Sequence, residues 1–225
     1  MSESTTPALL THRIYLVRHG EVDVPANICY GQLDCALSAQ FDAEKTRLIN
    51  YFLKQLSASS SPTSITKTPP WIISSPLTRC ARLATALSKA LDIQEAITQY
   101  NDFQEINFGE WEGQTWQSIG EEALTSWGDN LLDYRFPCGE TAREFDQRVI
   151  QGWQQLTAQL SDAKVATTSI VVAHAGVIRS ILSHFLHVPL QHSLLLKVDK
   201  LSVSQLDLVL NNPLLSRCVT LNQRL

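Results

Sequence analysis

No stretch of this chain approaches the roughly 20 consecutive apolar residues that a bilayer-spanning helix needs. Residues 1–13 are polar and contain no apolar run resembling a secretory leader. Positive charge is not in excess either. The formal net charge is −4, so nothing draws the chain as a whole toward nucleic acid or an anionic membrane. The five cysteines (Cys29, Cys35, Cys80, Cys138 and Cys218) are odd in number, scattered, and include no Cys-x-x-Cys pair. That pattern supports neither a zinc knuckle nor a disulfide frame, and it predicts reduced thiols in a cytoplasmic protein. Internal repeats, heptads and long blocks of one charge are also missing. If the chain binds an anion, a local cluster of Arg and His has to create the field that binds it.

What is present is ordinary globular composition, 44% hydrophobic and 18% charged over 225 residues. That is enough for one domain spanning residues 1–225 around a single core, with residues 1–12 expected to be flexible. Three short apolar runs read as buried strands, at residues 14–17, 71–74 and 169–173. Helical patterns alternate with them. Ser38 is a plausible N-cap for a helix carrying Phe41, Leu48, Phe52 and Leu56. Pro76 suits the first turn of a second helix running toward Leu91. A long helix over about residues 141–160 places Phe145, Val149, Trp153, Leu156 and Leu160 on one face, and another helix is expected at residues 177–186. Strand alternating with helix predicts an α/β fold, a three-layer α/β/α sandwich with a mostly parallel central sheet. The Ser/Thr/Pro-rich residues 57–70 read as a surface loop. Residues 101–138, rich in Trp, Gly and acidic groups without clean periodicity, read as an inserted cap over one end of the sheet.

Each apolar run delivers basic residues at its carboxyl end: Arg18-His19 after the first, Arg79 after the second, His174 after the third. Ligands of open α/β sheets bind at that edge. Two guanidinium forks and two imidazoles beside helix amino termini suit a phosphoryl dianion, because a planar guanidinium can hold two of its oxygens at once.

These residues carry a resemblance. The segment Leu16-Val17-Arg18-His19-Gly20-Glu21 resembles the Arg-His-Gly signature of the histidine phosphatase superfamily, which includes phosphoglycerate mutases. Ser74-Ser75-Pro76-Leu77-Thr78-Arg79, Glu105-Ile106-Asn107-Phe108-Gly109-Glu110-Trp111-Glu112-Gly113 and His174-Ala175-Gly176-Val177-Ile178-Arg179 follow in the family's order, so the likeness spans most of the chain. It implies that His19 is the nucleophile and forms a phosphohistidine. Arg18, Arg79 and His174 would hold the equatorial oxygens, and Glu105 would serve as general acid and then base, without metal or other cofactor. The nucleophile has to be a neutral imidazole whose other nitrogen is fixed by a hydrogen bond, expected from a backbone carbonyl. The acid has to hold a proton at neutral pH, which burial beneath the Trp111 region would favour. Many members carry Asn six residues after the nucleophile, where this chain has Pro25, which lacks even a backbone donor. Asn27 is the candidate substitute. Tyr30, Gly31 and Ala175 are further candidates for substrate contact.

The string from Val22-Asp23-Val24-Pro25 through Cys29-Tyr30-Gly31-Gln32 to Asp34 is similar to a branch of α-ribazole-5′-phosphate phosphatases, enzymes of cobalamin assembly. The Phe136-Pro137-Cys138-Gly139-Glu140-Thr141 turn fits that branch, with Cys138 in place of its usual Gly, as does Leu196-Lys197-Val198-Asp199. α-Ribazole 5′-phosphate is then the expected substrate. Broad sugar-phosphate hydrolysis, a mutase, a phosphate-recognising module and a metallohydrolase on His19 and His174 remain as alternatives. Arg179 reads as a structural ion-pair partner, and Trp111, Trp116, Trp127 and Trp153 as cap and core packing. His184 and His187 have metal-ligand spacing but no further ligand beside them. Monomer and homodimer both stay open.

Overall fold

The computed structural model describes residues 10–58 and 69–225. A six-stranded sheet has the order β3-β2-β4-β1-β5-β6, comprising β1 (His12–Arg18), β2 (Trp71–Ser74), β3 (Thr98–Gln99), β4 (Thr168–Ala173), β5 (Val203–Leu208) and β6 (Arg217–Gln223). Neighbours from β3 to β1 run parallel, whereas β5 and β6 are antiparallel additions. The sheet is thus mixed, and three of its four parallel strands, β1, β2 and β4, are those that read as strand in the sequence.

β1 and β4 are apolar on both faces because helices cover both. Ile14, Leu16, Val171 and Ala173 point to one side and pack with α5 (Ala142–Asp162) and α6 (Ala175–Leu186). Tyr15, Val17, Ile170 and Val172 point to the other and pack with α1 (Phe41–Ala58) and α2 (Thr78–Ala90). This strict alternation divides the core into two layers, and each fully buried aliphatic side chain contributes about 2 kcal/mol. α5 starts on a capping box in which Thr141 and Glu144 satisfy each other's backbone amides.

Several expectations shift. Most of the stretch expected to be flexible, and residues 59–68 of the expected loop, lie outside the described residues. His12, expected in the flexible stretch, is instead the buried first residue of β1, with Nδ1 2.9 Å from Thr167 Oγ1. Ser57, expected in the loop, is still within α1. Ser38 Oγ accepts the Gln40 amide just before α1. Pro76 stands two residues ahead of α2 rather than in its first turn. There the Asp34 carboxylate, arriving from the 22–37 loop, accepts both the Thr78 amide (2.8 Å) and the Thr78 hydroxyl (2.6 Å).

Residues 101–138 fold over the carboxyl edge of the sheet as short turns, α3 (Trp116–Ile119) and α4 (Glu121–Asp129). They form a small aromatic core of their own around Cys29, Trp111 and Phe136. The Glu112 carboxylate ties this segment to the 22–37 loop by accepting the amides of Gln32 (2.8 Å) and Leu33, and it also accepts the Phe108 amide (3.0 Å) within the segment.

Candidate active site

Parallel strands deliver their carboxyl ends to one edge, and the basic residues converge there. The rings of His19 and His174 lie 5.2 Å apart, both buried. His19 Nδ1 sits 2.7 Å from the Gly20 carbonyl. A carbonyl only accepts, so Nδ1 carries the proton and the lone pair lies on Nε2. Burial, then the Arg79 and Arg18 guanidiniums, hold the His19 pKa well below its ordinary value, so the ring is neutral at pH 7. His174 is likewise pushed well down by burial, then by His19 and Arg79. Arg79 Nε donates to its Nδ1 (3.3 Å), which leaves Nε2 (2.8 Å from Ser75 Oγ) to carry the proton toward that hydroxyl.

Arg79 is almost fully buried. Its Nη1 and Nη2 donate to the carbonyls of Leu33 (2.9 Å) and Gly31 (2.5 Å), and its guanidinium lies 5.6 Å from the Tyr30 ring centroid. Arg18 donates through Nη1 to Val198 O (2.7 Å), while its buried Nε has no partner among the described residues. The cluster therefore holds two cations, two neutral imidazoles and at least one unspent buried donor, the inventory that a dianion's oxygens satisfy.

Glu105 stands at the rim. Its carboxylate accepts the Ile106 amide and, across the site, the Gly176 amide in the first turn of α6, each at 3.1 Å. This approach depends on glycine, since a Cβ at position 176 would stand 2.3 Å from Glu105 Oε1. The expected cover from Trp111 is not what surrounds this carboxylate. Trp111 packs into the cap core, 5.0 Å from Phe136, and Glu105 is instead flanked by Gly176 and its own chain neighbour. The reason is topological: residues six apart in a non-periodic segment need not share a face.

The other candidates separate. Tyr30 joins the site through Arg79. Gly31 contributes its carbonyl to Arg79 rather than a group to a ligand, and Ala175 begins α6, nearly buried, beside His174. Asn27 is exposed, and its carbonyl accepts the Trp116 amide (2.9 Å). Among the described residues its side chain has no hydrogen bond to the cluster. His187 lies past the end of α6 in a left-handed C-cap (φ 55°), so it does not share a helical face with His184. Cys138 takes φ 57°, which explains why glycine suits that turn.

Sequence reading missed two residues behind the site. Glu44, 3% exposed, accepts the Glu21 amide with both oxygens (3.0 and 3.1 Å). It thereby fixes the turn whose Gly20 carbonyl orients His19. Arg148 donates to the carbonyls of Asp102 (2.9 Å), Gln104 (2.8 Å) and Glu105 (2.9 Å) while pairing with both Glu140 oxygens. It clamps the segment that carries Glu105. Both signals are legible in retrospect: Glu44 is one turn ahead of Leu48 and Phe52 in an apolar stripe, and Arg148 is one turn after Phe145.

The chain matches the family model of the histidine phosphatase superfamily (branch 1) over residues 14–220. It belongs to that superfamily. It is accordingly a phosphatase, in agreement with the order of motifs along the sequence. No curated protein matches the chain by sequence. Among solved structures, a mycobacterial glucosyl-3-phosphoglycerate phosphatase superposes with a TM-score of 0.74 at 21% identity, covering 95% of this chain and 99% of its own. The α-ribazole phosphatase of Shigella flexneri gives 0.74 at 21%, covering 94% and 96%. YhfR of Bacillus stearothermophilus gives 0.75 at 20%, covering 94% and 97%. At such identity these neighbours establish the shared fold of this phosphatase and leave its substrate to be argued from the site.

Proposed function

We propose that this phosphatase hydrolyses phosphomonoesters through a phosphohistidine at His19, and that α-ribazole 5′-phosphate is its substrate. The observation that carries the reading is the His19 imidazole, neutral, with Nδ1 committed to the Gly20 carbonyl and Nε2 free beside Arg18, Arg79 and His174. The Nε2 lone pair attacks phosphorus, and the bond to the ester oxygen breaks in line. Glu105 gives its proton to the departing alkoxide. Arg18 and Arg79 hold the equatorial oxygens, whose charge persists through a loose transition state, and His174 joins them by turning its Nε2–H from Ser75 Oγ to a phosphoryl oxygen. Water then attacks phosphorus and Glu105 takes its proton. The P–N bond breaks, returning its electron pair to Nε2, and inorganic phosphate leaves. The Nδ1 proton stays on the ring throughout.

The substrate assignment rests on the motif string after His19 and on a cavity of about 350 Å³ that opens from Glu105. Its lining is mainly aliphatic and aromatic, which suits an alcohol bearing a flat apolar base better than a bare sugar. The Shigella flexneri neighbour is an α-ribazole phosphatase, whereas the mycobacterial neighbour acts on glucosyl-3-phosphoglycerate. Phosphate release from α-ribazole 5′-phosphate should exceed that from sugar, glycerate and nucleotide phosphates by orders of magnitude in kcat/KM. A flat profile would leave a general phosphomonoesterase. His19→Ala should abolish turnover and the acid-labile phosphoenzyme, and near-normal activity in that variant would overturn the mechanism.

A further inference from the structure

Arg179 leaves α6 one turn after Gly176, and its surroundings do not match the ion-pair role expected of it. No carboxylate stands within ion-pair distance of it among the described residues. Its Nε donates to the Leu196 carbonyl (2.9 Å), and its two terminal nitrogens make no hydrogen bond there. Burial pulls its pKa below the ordinary value, with Glu105 opposing. A half-buried guanidinium keeps such donors unspent only where an acceptor can reach them.

The place where an acceptor can reach them is the cavity beyond Glu105. Arg179 lines it together with Tyr30, Glu105, Trp116, Trp127 and Leu131. The indoles of Trp116 and Trp127 are stacked, with centroids 6.2 Å apart and planes inclined by 11°. A general acid has to touch the oxygen that bridges phosphorus and the leaving group, so whatever lies beyond Glu105 from the His–Arg cluster faces the leaving alcohol. That space offers one strong pair of donors and one flat apolar wall.

We propose that this cavity is the leaving-group site and that Arg179 is its specificity determinant. Arg179 donates its terminal nitrogens to the hydroxyl or ring oxygens of a ribosyl-type alcohol, while the Trp116–Trp127 wall takes a flat aromatic base. The proposal rests on the reading of Glu105 as the acid and deepens it, because it requires both halves of the alcohol: oxygens alone leave the apolar wall wet, and a ring alone leaves the guanidinium unpaired.

The test compares the wild-type enzyme with Arg179→Met and Arg179→Lys on three substrates: α-ribazole 5′-phosphate, ribose 5-phosphate and p-nitrophenyl phosphate. A hydrogen bond from a charged donor sets the expected scale, a fall of about tenfold to a hundredfold. In Arg179→Met, the kcat/KM ratio of α-ribazole 5′-phosphate to p-nitrophenyl phosphate should drop by that factor, mainly through KM. Arg179→Lys should recover part of it. If the ratio stays constant, Arg179 only tethers Leu196 and the proposal is overturned. The base subsite is overturned if the wild-type enzyme prefers ribose 5-phosphate. Free α-ribazole should inhibit the wild-type enzyme competitively and far more strongly than ribose, a measurement that needs no variant to fold, and equal inhibition refutes the site. Failure of the underlying reading looks different: the wild-type enzyme would release no phosphate from any of the three substrates.

Discussion

Acid should unfold this phosphatase through two buried histidines. His19 and His174 are buried, and burial together with the neighbouring guanidiniums lowers both pKa values well below 6.5. Unfolding releases both rings to water, where they bind protons below about pH 6.5. Below that pH the unfolded chain holds more protons than the folded one, so stability rises with pH there and is lost as pH falls. Each ring contributes a limiting slope of about 1.4 kcal/mol per pH unit, and the pair about 3. Integrated from neutral pH to pH 5, two rings that stay neutral in the folded state remove at most ~4 kcal/mol, a large part of the 5–15 kcal/mol typical of a folded domain. His12, also lowered by burial, adds in the same direction. Urea unfolding at pH 8, 7, 6 and 5 would measure this, with m checked for constancy. His174→Gln should flatten the curve by about one proton's worth, and His19→Gln by a similar amount. A midpoint that does not move between pH 7 and pH 5, or a double variant whose slope exceeds the one proton that His12 supplies, would refute the assignment of neutral buried rings.

Three further outcomes follow from the same geometry. Glu105→Gln should slow alkyl phosphates by about 10²- to 10⁴-fold while slowing p-nitrophenyl phosphate far less, because a good leaving group needs little protonation; equal losses would remove Glu105 from the acid role. Gly176→Ala places a Cβ where the Glu105 carboxylate stands, and displacement on the order of 1 Å should cost roughly 100-fold in kcat on alkyl phosphates; unchanged kcat would show that the carboxylate has room to move without loss. Cys138→Gly should relieve a left-handed strain of about 1 kcal/mol, partly offset by the greater freedom of glycine in the unfolded chain; the melting temperature should rise by about 2 °C, and a fall would mean that the thiol's contact with Glu110 outweighs the strain.

β1, β2 and β4 were legible because they are continuous apolar runs, each followed within a few residues by a basic residue of the candidate site. β5 escaped notice because Val203 to Leu208 mixes Ser, Gln and Asp into the strand, and those groups are buried only by neighbours distant in sequence. β6 is an edge strand whose residues alternate exposed and half-buried, and β3 has two residues. The site followed the same rule. Residues fixed at strand ends could be placed from the sequence, whereas what stands behind or over them could not. A charged residue on a helix is usually solvated, so Glu44 drew no attention although it keeps step with Leu48 and Phe52. Arg179 looked like an ion-pair partner because a sequence does not reveal which carboxylates fail to arrive.

The bonds of Glu112 to Gln32 and Leu33 have an evolutionary consequence. They fasten the segment over the active site to the 22–37 loop through main-chain amides, which every residue except proline supplies. That polar attachment asks nothing of the side chains beside the cavity that lie outside the aromatic core, such as Leu131. Such a residue can drift in sequence while Arg18, His19, Arg79 and His174 stay fixed. A lineage built this way can change the alcohol it accepts without rebuilding the machinery that cuts the phosphate.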